Sequence, residues 1–199
     1  MKKALSPGSL IPPVQELIEK QARAYDLRDE GSSQIAGHIP LVLKWTVFLA
    51  EKHPQANKDI AILGALLHDC GYLWDGYKLD VDHAATGEPR ARKILANLGA
   101  DPETIESVAR IVRRHRNRDI KPETVEELIV AAADSAAHFS QGVHLAILRD
   151  KEKDFGLPPK QIAMEKLERD WKDVQAFLEL AEELRNQYEM IKKELQGSN

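Results

Sequence analysis

Cysteine is almost missing from this chain: Cys70 stands alone among 199 residues. One thiol excludes an internal disulfide and a Cys-rich zinc ribbon, and it points to a reducing, cytoplasmic setting. Long apolar runs are missing as well. The densest, 61–67 and 128–133, fall far short of the about 20 residues that a membrane-spanning helix needs. The first 13 residues carry Pro7, Gly8, Pro12 and Pro13 where a signal peptide has its apolar stretch. Positive charge is not in excess either. With 28 Lys and Arg against 32 Asp and Glu, the formal net charge of -4 implies no global attraction to nucleic acid or to an anionic membrane. Strand-like alternation is lacking. What is present is an ordinary globular mixture, 43% apolar and 30% charged, long enough for one domain with a substantial core.

Helical spacing recurs along the chain. Residues 14–28 set Val14, Leu17, Ile18 and Tyr25 on one side. A second helix is expected from His38 or Ile39, with Pro40 in its first turn and Val42, Trp45 and Leu49 as its stripe. The third, about 57–70, is apolar on nearly every side from Ile60 to Leu67, which marks the middle of a core. Residues 71–82 read as an aromatic-rich loop. A fourth helix begins between His83 and Pro89 and stops at Gly99. The fifth opens on Asp101 as cap with Pro102 at the first position, and turns Ile105, Val108 and Val112 inward. A sixth starts at Pro122 and reaches about residue 141, followed by a short helical stretch and a break at Gly156-Leu157-Pro158-Pro159. The remainder, 160–196, reads as one long amphipathic helix. Leu167, Val174, Ala181, Tyr188 and Leu195 repeat in it every seven residues, a coiled-coil-like seam. That seam suits either packing back onto the domain or a homodimer. The fold class is therefore all-α, a helical bundle over 1–156 with an appended C-terminal helix over 157–199.

The informative residues are polar groups placed where a core should be. Within 128–137 only Asp134 and Ser135 are not apolar, and an ionised carboxylate there is costly to bury unless something cationic meets it or its pKa rises. His68 and Asp69 follow directly on Ala61-Ile62-Leu63-Gly64-Ala65-Leu66-Leu67 and so sit at the inner end of a buried rod. His38 precedes Val42 by four residues, and His115 follows Val112 by three, which aims both imidazoles at the core. Four helices thus each turn a His or Asp inward, and a divalent metal would satisfy them together. His138, one turn after Asp134, either lines the pocket or supports it; His53 is expected at a helix end and His144 at the surface.

The ordered set His38, His68-Asp69, Asp134 resembles the H…HD…D signature of the HD-domain metal-dependent phosphohydrolases. Leu66-Leu67-His68-Asp69-Cys70-Gly71 is similar to that family's apolar-HD-x-G segment, and Ala132-Ala133-Asp134 to its final AD helix. The resemblance spans roughly residues 38–141. It implies an HD-domain bundle in which His38, His68, Asp69 and Asp134 ligate a first metal. His83 and His115 occupy the positions of a second-metal or substrate-contacting pair, and Asp69 bridges and orients the water that a metal activates. The His-rich set suits Mn, Fe, Co, Ni or Zn better than Mg or Ca, one or two ions in number.

The expected activity is hydrolysis of a small phosphate ester, with a nucleotide as the expected substrate, as a phosphomonoesterase or phosphodiesterase. Lys78, Arg114 and Arg116 are the candidates for holding phosphate, and Trp74 for stacking on a base. Asp75 is the nearest substitute for the proton-transferring carboxylate that some relatives place after HD. Two other functions fit the same residues: a diiron oxygenase of the HD type, and a non-catalytic ligand-binding or scaffold protein. No membrane partner is expected, and nucleic acid fits poorly with an acidic chain.

Overall fold

The computed structural model describes residues 4–28, 35–75, 81–149 and 158–197. Among them there is no strand, only an isolated parallel bridge between Leu5 and Ala100. Ten helices follow one another: α1 (Pro7–Arg28), α2 (Ile35–Lys52), α3 (Lys58–Leu67), α4 (Cys70–Asp75), α5 (His83–Asn97), α6 (Pro102–Arg114), α7 (Val125–Gln141), α8 (Val143–Arg149), α9 (Pro159–Val174) and α10 (Leu178–Gly197). The all-α expectation holds. None of the described helices is long and apolar enough to cross a membrane. Two compact units emerge, Met1–Ala131 and Ala132–Asn199, with the boundary inside α7. The division expected after residue 156 falls within 150–157, outside the described residues.

In the first unit α3 is the central rod, packed against α1, α2 and α6. Ile60, Ala61, Leu63, Ala65, Leu66 and Leu67 are all buried, as an all-apolar helix requires. Its start is fixed by Asn57, whose side chain accepts from the Ile60 amide. Asp82 caps α5 by accepting from Ala84, and Asp101 caps α6 by accepting from Thr104, with Pro102 at the first position. Gly99 ends the α5 region at φ +82°, a left-handed conformation that favours glycine.

Several expected boundaries move. α1 starts at Pro7 rather than at residue 14, because Pro7 is itself a good first-turn residue and Ser6 with Ser9 closes the opening turn. α2 begins at Ile35, three residues earlier than expected, and α7 at Val125, three later. The expected loop over 71–82 begins instead as helix: α4 continues the chain after a turn at His68 and Asp69. It can do so because Gly71 lies against the start of α5. A Cβ built there would stand 2.1 Å from the His83 carbonyl oxygen, so only glycine permits the approach.

The second unit corrects the C-terminal expectation most. The continuous helix over 160–196 does not form. Turn hydrogen bonds from Gln175, Ala176 and Phe177 back to Trp171, Asp173 and Val174 interrupt it, and α9 and α10 form a hairpin. Trp171 stacks on Tyr188 at 4.3 Å, and Leu167, Val174, Ala181, Leu184, Ile191 and Leu195 are buried. The heptad positions of α9 and α10 are thus buried within this unit.

Candidate metal centre

Two helix ends in the first unit use the same device. His68 is the C-cap of α3, and its Nδ1–H donates to the Ala65 carbonyl at 2.7 Å. His115 is the C-cap of α6, and its Nδ1–H donates to the Val112 carbonyl at 2.8 Å. Both carbonyls belong to the last turn of their helix, where acceptors lack an intrahelical donor. A carbonyl only accepts, so each ring is held in the Nδ1–H form. With Nδ1 engaged in this way, each ring offers its Nε2 as a lone pair to a metal or, when protonated, as an N–H towards the Asp69 carboxylate.

Those two nitrogens face partners. His38 Nε2 lies 3.3 Å from His68 Nε2, and His83 Nε2 lies 3.1 Å from His115 Nε2. The Asp69 carboxylate stands between the pairs. Its Oδ2 is 3.3 Å from His68 Nε2 and 3.9 Å from His38 Nε2; its Oδ1 is 3.3 Å from His83 Nε2 and 3.8 Å from His115 Nε2. Two three-donor groups result, His38–His68–Asp69 and Asp69–His83–His115, sharing one carboxylate. His38, His68, Asp69 and His115 are buried. Burial alone would raise the Asp69 pKa, but the imidazoles of His68, His83 and His38 outweigh it and hold the carboxyl well below its ordinary range.

The donor set suits a transition-metal ion. With metal–ligand bonds of about 2.1 Å, two donors on a tetrahedral ion lie about 3.4 Å apart. The separations of 3.1 to 3.9 Å within the two groups bracket that value. Nitrogen donors alongside a carboxylate favour Mn, Fe, Co, Ni or Zn over Ca or Mg.

The flanking side chains hold the histidines in place. Tyr72 stacks on His83 at 3.9 Å. Asp82, besides capping α5, accepts from both Arg113 and Arg116, which bracket His115 and tie the start of α5 to the end of α6. Cys70 is small core filling as expected: its Sγ–H donates to the Gly87 carbonyl, and burial pushes the thiol up to about 12.

The residues expected at the substrate are engaged as follows. Arg116 is paired with Asp82, and Arg114 with Glu123, Glu127 and the Lys121 carbonyl. Asp75 is paired with Arg90 at 2.7 Å, and Arg90 also lies over the Trp74 ring. Lys78 lies outside the described residues.

Asp134 belongs to the second unit, on α7, where His138 Nε2 lies 3.6 Å from its Oδ1. This unit also contains what sequence reasoning missed. His144, expected at the surface, is fully buried and donates from Nε2 to Asp170 at 2.9 Å. Asp170 is buried too, within 3.1 Å of His138 Nδ1 and 3.0 Å of Lys166 Nζ. The sequence did hold a signal. Ala163, Leu167, Asp170 and Val174 follow helical spacing, so the carboxylate falls on the inner face of α9.

The HD domain family model matches residues 35–137, just over half of the chain. The chain is 29% identical over 166 residues to a tRNA (cytidine(56)-2'-O)-methyltransferase of Picrophilus torridus, an alignment covering 76% of this chain and 43% of that protein. It is 40% identical over 68 residues to the "Putative phosphohydrolase YueE" of Bacillus subtilis, covering 30% of this chain and 39% of the relative. The chain therefore spans less than half the length of these curated relatives. In fold it is similar to a crystal structure described as a "predicted HD superfamily hydrolase" from an uncultured Thermotogales bacterium. The TM-score is 0.53 and the identity 21%, covering 83% of this chain and 90% of that one. The matched span contains His38, His68, Asp69, His83, His115 and Asp134, and the chain belongs to the HD-domain family.

Proposed function

We propose that this chain is a metal-dependent phosphohydrolase acting on a small phosphate ester, with a nucleotide as the leading candidate. His38, His68, Asp69 and Asp134 hold a first divalent transition metal, and Asp69, His83 and His115 hold a second. The observation that carries this reading is the Asp69 carboxylate set between two imidazole pairs, two of whose rings are locked by backbone carbonyls into the ligating form. Coordinated divalent ions would supply Lewis acidity, polarising a phosphoryl oxygen and lowering the pKa of a water to about 7.

The rest is done by the chain. Asp69 offers one oxygen to each imidazole pair and so fixes their spacing. The hydrogen bonds of His68 and His115 to Ala65 and Val112 keep both rings from turning. Burial of these groups limits competing water. Arg114 and Arg116 hold carboxylates, so a phosphate that binds them exchanges with Glu123 or Glu127 and with Asp82 respectively.

Metal-loaded protein offered a panel of nucleotides and simple phosphate esters is expected to release phosphate. Release should stop with chelator and return with added metal. Silence across the panel with every transition metal tried overturns the hydrolase assignment. The same paired histidines also fit a diiron oxygenase. Anaerobic purification with elemental analysis separates the two, because a non-iron metal in the active protein removes the oxygenase reading.

A further inference from the structure

The second unit buries more charge than its packing needs. Asp170 is 4% exposed and His144 is fully buried, although α9 has ample exposed positions for a carboxylate. Burying an ionised carboxylate is costly without donors. Here three side chains meet it: His144 Nε2 at 2.9 Å, Lys166 Nζ at 3.0 Å and His138 Nδ1 at 3.1 Å. His144 Nδ1 has no partner among the described residues, so that ring uses only its Nε2–H, and uses it on Asp170.

The network has a direction. His138 Nε2 faces Asp134 Oδ1 at 3.6 Å, and a carboxylate only accepts. A neutral His138 with its hydrogen on Nε2 accepts at Nδ1 from Lys166 Nζ, 3.2 Å away. A charged His138 gives its Nδ1–H to Asp170. Both forms present Nε2–H towards Asp134. The remaining neutral form would set a lone pair against the carboxylate.

We propose that Lys166 and Asp170, anchored by His144, form a positioning device from the C-terminal hairpin that acts through His138 to aim the Asp134 carboxylate. This rests on the reading of Asp134 as a metal ligand. It gives α8 and α9, which lie beyond the matched HD span, a part in holding that side chain. At 3.6 Å His138 Nε2 stands at ion-pair rather than hydrogen-bond distance from Asp134; a donor or charge beside a ligand carboxylate favours one orientation of it, and loss of such support costs about 10- to 100-fold in metal affinity.

Cobalt(II) titration of the full chain, followed by visible absorption and by unfolding of the metal-free protein, tests it. His138→Leu and Lys166→Met are expected to weaken cobalt binding about 10- to 100-fold and to change the absorption bands. His138→Gln keeps a donor towards Asp134 and should recover most of the affinity. That rescue is something a purely structural role would not produce. Lys166→Met leaves the His144–Asp170 contact in place, so it serves should His138→Leu not fold. Cobalt binding of wild-type strength and spectrum in both His138→Leu and Lys166→Met overturns the proposal, as does a His138→Gln variant no better than His138→Leu. Asp134→Ala separates the two levels. If Asp134→Ala loses affinity while the supporting variants do not, only the positioning role fails. If Asp134→Ala binds like wild type, the ligand reading fails and the positioning role with it.

Discussion

Replacing Gly71 by alanine puts a known distance against the second three-donor group. The added Cβ would stand 2.1 Å from the His83 carbonyl oxygen and 2.7 Å from Thr86 Oγ1. Non-bonded heavy atoms settle near about 3.5 Å, so the start of α5 must retreat from α4 by roughly 1.4 Å. The obstructing atom is backbone, and no rotamer change relieves it. His83 moves with that backbone, and its Nε2 begins only 3.3 Å from Asp69 Oδ1 and 3.1 Å from His115 Nε2. A site loosened by about 1 Å ceases to hold its geometry. The His38–His68–Asp69 group depends on α2 and α3 and should survive. Overpacking of this kind costs about 1–3 kcal/mol, and about 2 kcal/mol lowers Tm by roughly 4–8 °C at this chain length. Equilibrium dialysis with elemental analysis should therefore find one ion per chain in Gly71→Ala where wild type holds two, together with the lower Tm. Two ions bound at wild-type affinity and an unchanged Tm would refute the reasoning.

Two further outcomes follow from buried titrating groups. Cys70, its thiol pushed up to about 12, should resist iodoacetamide at pH 8 in the folded protein and react fully in denaturant, as read by mass spectrometry; rapid labelling of the folded chain contradicts its burial. Burial lowers the His144 pKa below its ordinary 6.5 despite Asp170. The unfolded ring then takes up a proton before the folded one does. The stability that His144 contributes is fully present above pH 6.5 and drains away as pH falls below it. In denaturant unfolding with chelator present, the gap between wild type and His144→Gln should shrink from pH 7.5 to pH 5; a gap that widens on acidification reverses the sign.

Much of the first unit was legible because its signals are local. Asn57, Asp101 with Pro102, and Gly99 are residues whose chemistry acts within one turn, and each stands at the end it announced. His68 and Asp69 were conspicuous because the seven apolar residues before them leave no solvent face. The misses arise where tertiary packing decides. Nothing between Gln175 and Phe177 is a glycine or proline, so the α9–α10 turn leaves no mark, and the heptad repeat runs through it unbroken. The helix at Cys70–Asp75 depends on Gly71 meeting the His83 carbonyl, a contact between distant parts of the fold. Asp170 hides among Glu165, Lys166, Glu168, Arg169 and Lys172, a run that reads as a solvated face until the spacing from Leu167 to Val174 is counted.

The bridging place of Asp69 is most directly tested by counting tightly bound ions per chain in wild type and in Asp69→Asn, with circular dichroism to confirm that both are folded. The predicted result is two ions in wild type and none in the variant, since one carboxylate serves both imidazole pairs. A folded Asp69→Asn chain that keeps either ion at wild-type affinity would contradict it.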